Sequence, residues 1–155
     1  MYVRLLAGAA LALMLSATPA LALTADQMKA FATVRAFISG VNRGDLRAAA
    51  AVCASPSSVL DDFPPHAWQG PTACGDWARG YLQANKDAGV THPDVTLLTP
   101  WHVAITGDRG YVVVPANYRY LANGKPALEA GSIFTVALKR VGGSWRIAAW
   151  AWAQH

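Results

Sequence analysis

The chain has 155 residues, with 13 Lys and Arg against 9 Asp and Glu and a formal net charge of +4. That length suits one domain with a substantial core. The basic residues are scattered, Lys139-Arg140 being the densest pair, so nothing resembles a nucleic-acid footprint. The two cysteines, Cys53 and Cys74, have no second Cys or His at ligand spacing, which argues against a metal site, and no phosphate-cradling glycine loop or Ser-His-Asp nucleophile turn occurs.

Residues 1–22 read as a cleaved signal peptide: Arg4, an apolar run over 5–15 that is short for a spanning helix, then the small-x-small site Ala20-Leu21-Ala22, an uncleaved anchor being the alternative. Cleavage leaves a single domain, 23–155, with net charge +3 once Arg4 is gone. The expected location is periplasmic or secreted, with no membrane association after removal of the signal. An oxidising compartment would join Cys53 to Cys74 if their Cα atoms come within about 6 Å. Two buried thiols are the alternative.

Thr24-Ala25-Asp26-Gln27 has the form of a capping box. Behind it Met28, Phe31, Val34, Ile38 and Val41 recur at helical spacing, predicting a first helix to about Val41. Asn42-Arg43-Gly44 stops it, and Asp45 caps a shorter second helix carrying Leu46, Ala49, Ala50 and Cys53, ended by Ser55-Pro56. A brief strand over 58–63 leads into a rigid loop, Pro64-Pro65-His66-Ala67-Trp68-Gln69-Gly70-Pro71. A third helix runs from about Thr72 to Gly89 with Cys74, Trp77, Tyr81 and Leu82. Four strand-forming runs then follow, 95–106, 111–121, 128–141 and 145–152, separated by Gly107-Asp108, Asn123-Gly124 and Gly142-Gly143. Links this short permit antiparallel neighbours only. Pro100 and Pro115 mark bulges or edges. The class is α+β: three helices packed on a curved, mainly antiparallel sheet.

This order, with Val41-Asn42-Arg43-Gly44-Asp45-Leu46, the acids Asp61-Asp62-Phe63, Gly70-Pro71 and the closing Gly143-Ser144-Trp145-Arg146-Ile147, resembles the nuclear transport factor 2-like superfamily, in particular its small SnoaL-like and ketosteroid-isomerase-like members. The resemblance covers about 24–154. It implies a cystatin-like cone with a conical pocket at the open end. It leaves activity open, because the fold hosts isomerases, cyclases, dehydratases and plain binding modules. In the isomerase-like members a carboxylate on the short strand shuttles a proton, and by position before the loop Asp62 matches best. Neighbours on a strand face opposite ways, so only one of Asp61 and Asp62 looks inward. A carboxyl group in an apolar pocket gains a raised pKa suited to general-base work. The alternative has Asp61 capping a turn and Asp62 pairing with Arg79. The family's tyrosine donor on the first helix is replaced here by Phe37, and the stretch Phe134-Thr135-Val136-Ala137 lacks the second acid. Both absences remove oxyanion stabilisation, so steroid isomerisation by that mechanism is not expected.

Other groups with chemical potential are His66 in the Pro-rich loop and His102, an acid/base partner for Asp62 if both face inward. Trp77 and Tyr81 share a helix face, as Tyr118 with Tyr120 and Trp150 with Trp152 share strand faces, with Trp145, Ile147, Ala149 and Ala151 on the opposite face of the closing strand. The alternative for Trp77 and Tyr81 is core packing, and for Trp150 and Trp152 core packing or a dimer interface. Glu129, the single glutamate, belongs at a rim or in a pair with Lys125 or Arg119. Three readings stay open. One is an exported protein binding a small, largely apolar molecule through Asp61, Asp62, His66, Trp77, Tyr81, His102, Tyr118 and Trp150. Another is a proton-transfer enzyme with Asp62 as base and His66 or His102 as helper. The third is an interaction module that forms a homodimer through its open sheet face. No cofactor is implied by any of them.

Overall fold

The computed structural model describes residues 22–154; the signal-peptide assignment falls almost entirely outside them. Helix α1 (Ala25–Asn42) starts from the capping box as expected, Thr24 and Gln27 bonding reciprocally. Gln27 reaches further, donating from Nε2 to the Val103 carbonyl at 2.7 Å. Its buried face holds Phe31, Val34, Phe37, Ile38 and Val41, whereas Met28 is exposed. At the other end Asn42 presents its amide to strand β3 (Val90–Leu97), accepting from the Val95 N–H at 2.8 Å and donating to the Val95 carbonyl at 2.9 Å. The side chain thus replaces a neighbouring strand and fixes α1 across the sheet.

Helix α2 (Leu46–Ala51) is capped by Asp45 and ends earlier than expected, because Cys53–Leu60 forms strand β1. The loop expected after it contains a strand of its own, β2 (Ala67–Gly70), antiparallel to β1. Helix α3 (Ala73–Asp87) follows, and the disulfide Cys53–Cys74 ties it to the start of β1 with Cα atoms 6.5 Å apart.

The sheet has seven strands in the order β2-β1-β7-β6-β5-β3, with β4 (His102–Thr106) beside β3 along β5 (Arg109–Ala122). Strands β6 (Lys125–Val141) and β7 (Ser144–Ala153) complete it. Every pairing is antiparallel except β1 with β7, so the sheet is mixed. The first expected long strand is two strands, broken over 98–101 at Pro100. Pro115, opposite that break, has no N–H to give, but its carbonyl accepts from Leu98. The break therefore falls where β5 lacks a ladder donor.

Four of the ladders carry register shifts, and two of these, single-residue bulges on β6 and β7, set the faces that the site uses. Ala116 pairs with Ser132 and Asn117 with Ala130, leaving Gly131 unpaired at φ +79°, its N–H bonded to Asn117 Oδ1. On β7, Ala137 pairs with Ala149 and Leu138 with Ile147, leaving Ala148 unpaired. A single extra residue in one strand of a pair increases twist and bends that strand. The core between helices and concave face is built from Val34, Phe37, Val59, Val112, Val114, Phe134, Val136 and Ile147, each at most 2% exposed. Among the described residues, no helix is long and apolar enough to cross a membrane.

Candidate functional site

Along β1 the inward residues are Ser57 and Val59, and the alternation carries on to Asp61, just past the strand. Asp61 therefore turns its carboxyl group under the sheet, where Trp77 of α3 donates from Nε1 to Oδ2 at 2.7 Å. Oδ1 accepts the Asp62 N–H at 2.8 Å. Burial pushes the Asp61 pKa up to about 7 from 3.8, outweighing the Trp77 and Asp62 hydrogen bonds that pull it down. Asp62 is exposed and touches only the mouth of the hollow. Arg79, considered above as its partner, pairs with Asp76 instead.

Asp61 opens onto a cavity of about 220 Å³ between α1, α3 and the far ends of β5, β6 and β7. The bulges decide what its walls are. Counting back from Phe134 by twos places Glu129 outside, but the extra residue Gly131 returns it to the concave face directly opposite Tyr118. Strict alternation on β7 likewise separates Trp145 and Ile147 from Trp150 and Trp152. With Ala148 bulged, all four turn to the helices' side, Ile147 fully buried and Trp150 4% exposed. The expectation of opposite faces for these residues is thereby corrected.

The wall is largely aromatic. Trp77 stacks on Tyr81 at 5.3 Å and meets Trp150 edge-on at 4.8 Å. Phe37 lies 5.5 Å from both Trp77 and Trp150, and Phe134 5.5 Å from Trp150. The Trp150 Nε1 is buried with no hydrogen-bond acceptor among the described residues. Glu129 accepts from Trp152 Nε1 at 2.9 Å, from Gln154 Nε2 at 3.2 Å and from the Ser132 hydroxyl. It pairs with neither Lys125 nor Arg119. The hydroxyls of Tyr81 and Tyr118 stand 3.3 Å apart. Burial raises the pKa of both, so each stays a neutral donor at any ordinary pH. Two phenols, one donating its hydrogen bond to the other, and a carboxyl group able to change charge near neutrality are thus gathered in one ring-walled hollow.

The two anticipated histidines, His66 and His102, are elsewhere. His66 closes the β1–β2 hairpin at φ +68°, exchanging backbone hydrogen bonds with Phe63 and Asp61, and its ring Nδ1 lies 3.2 Å from the Asp61 carbonyl rather than the carboxyl group. His102 is exposed on the convex side, since its neighbour Val103 is the buried one, so it does not meet either aspartate. Of the anticipated residues, Asp61, Asp62, Trp77, Tyr81, Tyr118 and Trp150 come together at the cavity, and His66 and His102 do not line it. Glu129, Trp152, Phe134 and Phe37 join them. Glycine inside a long strand was the available sign for Glu129. Among the described residues, no three His, Cys, Asp or Glu side chains are grouped to hold a metal ion.

No protein-family model and no curated protein matches the chain in sequence. Solved structures match in shape. A ketosteroid isomerase-like protein from Erwinia carotovora atroseptica superposes with a TM-score of 0.67 at 18% identity over 85% of this chain and 98% of its own. An NTF2-like protein with a cystatin-like fold from Novosphingobium aromaticivorans gives 0.64 at 15% identity over 83% and 80%. A nuclear transport factor 2 (NTF2-like) superfamily protein from Salmonella enterica serovar Typhimurium gives 0.69 at 10% identity over 83% and 89%. The chain carries the NTF2-like fold, and at these identities the likeness is one of fold.

Proposed function

We propose that this protein is an exported, single-domain small-molecule-binding protein of the SnoaL-like kind, whose ligand is largely apolar and sits in the conical pocket. The observation that carries this reading is the hollow itself. It survives at the open end of the cone although eight aromatic side chains crowd round it, and its polar groups are few and convergent. The Cys53–Cys74 disulfide supports export, because such bonds persist in oxidising compartments. A leader over 1–22 and a mature domain over 23–155 complete the reading. Native mass spectrometry on protein taken directly from the periplasm or culture medium tests it. A retained small molecule lost on Trp150→Ala supports the reading. Bare protein that also takes up no apolar probe overturns it.

A second reading, proton transfer on a carbonyl compound of the isomerase, cyclase or dehydratase type, is favoured by the raised Asp61 pKa and the Tyr81–Tyr118 hydroxyl pair. In it Asp61, not Asp62, is the base, and a tyrosine hydroxyl holds the enolate oxygen. Incorporation of deuterium alpha to the carbonyl of a bound ketone, abolished in Asp61→Asn, would distinguish it from binding alone. A homodimer through the convex sheet face, where Val113, Ile133, Thr135 and Ala151 lie, fits either reading, and sedimentation at micromolar concentration tests it.

A further inference from the structure

The hollow is charged oppositely to the chain around it. Asp61, Asp62 and Glu129 line it, and among the described residues no Lys, Arg or His does, although the whole chain carries +4. The ion pairs among the described residues are Arg79–Asp76, Arg109–Asp108 and Arg140–Asp26, so none of the cavity's acids meets a basic side chain. Most of the remaining wall is ring surface, with the negative lobe of the quadrupole on its faces, and Ile38, Val41, Ala84, Asn85, Ala88 and Val95 complete it. Trp77 and Trp152 give their indole N–H groups to Asp61 and Glu129. What those two rings have left to offer a ligand is π surface alone. Once Asp61 is ionised, above about pH 7, a wholly neutral occupant would cover the inner carboxyl groups without a counter-charge, which is costly, whereas a cation offsets that cost and is attracted by the ring faces as well.

We infer that the molecule held here is an organic cation: a lipophilic amine or quaternary ammonium small enough for about 220 Å³, its charged head on the ring faces and attracted by Asp61 and Glu129. This rests on the binding reading above and narrows it. Inorganic cations do not meet the description, since ring faces replace the oxygen ligands that such ions take.

The test uses an isosteric pair, benzyltrimethylammonium and (2,2-dimethylpropyl)benzene, which differ by N⁺ against carbon in the same shape. Each is titrated at pH 8 and low salt against the intrinsic tryptophan fluorescence of the mature protein. The cation is expected to bind at least tenfold more tightly, and the ratio of the two affinities should collapse toward one in Asp61→Asn, with Glu129→Gln as the second variant should the first not fold. Equal or tighter binding of the hydrocarbon overturns the inference and leaves the apolar pocket standing. Binding of neither probe overturns both.

Discussion

Trp77 and Asp61 are joined by a 2.7 Å hydrogen bond from indole Nε1 to carboxylate Oδ2, linking α3 to the end of β1 across the floor of the hollow. The bond favours the charged form of Asp61 while burial opposes it more strongly. Trp77→Phe keeps a ring at this place and removes only the donor. The Asp61 pKa should then climb further above 7, by up to about one unit, as read from the chemical shift of its carboxyl carbon across a pH series. An unmoved or lowered value would mean that the bond does not act on the carboxyl group.

Stability should carry the same signature. Between 3.8 and about 7 the folded protein keeps a proton on Asp61 that the unfolded chain has released, so stability falls as pH rises through that window. The groups facing this carboxyl are Asp62 beside it, the Trp77 indole and Tyr81 on α3, with the His66 ring against its backbone carbonyl. The loss from Asp61 amounts to at most about 4 kcal/mol. Asp61→Asn retains an acceptor for Trp77 and has no charge to bury. Urea unfolding should therefore show the variant more stable than the parent at pH 8, with a flatter profile between pH 4 and 7.

The disulfide closes a loop between residues 21 apart in sequence. In the chain-entropy model its removal as Cys53→Ala with Cys74→Ala costs about 3 kcal/mol. Chemical denaturation of the double variant should show a loss of that order, and a loss below about 1 kcal/mol would assign the bond little structural weight.

Gly40 marks the closest approach of α1 and α2. A Cβ there would stand 2.8 Å from the Ala49 nitrogen and 3.0 Å from its Cα, both backbone-bound. Backbone cannot give way as a flexible side chain can. Gly40→Ala should cost about 1–3 kcal/mol despite alanine's better helix propensity, measured as a shift of the urea midpoint with an unchanged slope.

The architecture was legible because local signals agreed along the chain: the Thr24–Gln27 capping box, the Asn42–Gly44 stop, and Asn123-Gly124, where both residues adopt positive φ in the hairpin turn. The site was legible only in part, and the reason is register. Alternation from Val59 points to Asp61 rather than Asp62, a count that position relative to the loop obscured. Glu129 and the Trp150–Trp152 pair depend on unpaired residues at Gly131 and Ala148. One inserted residue flips every side chain beyond it, and alanine at 148 gives no sign of the insertion. The loop over 64–71 hid strand β2 because two prolines precede it.

The chemistry of the hollow depends on Asp61 lying out of water among rings at the open end of the cone. Carbon-detected titration of its carboxyl group in the unliganded parent protein tests this most directly. A midpoint near 7 is predicted; a midpoint near 4, where an aspartate in water titrates, would contradict it.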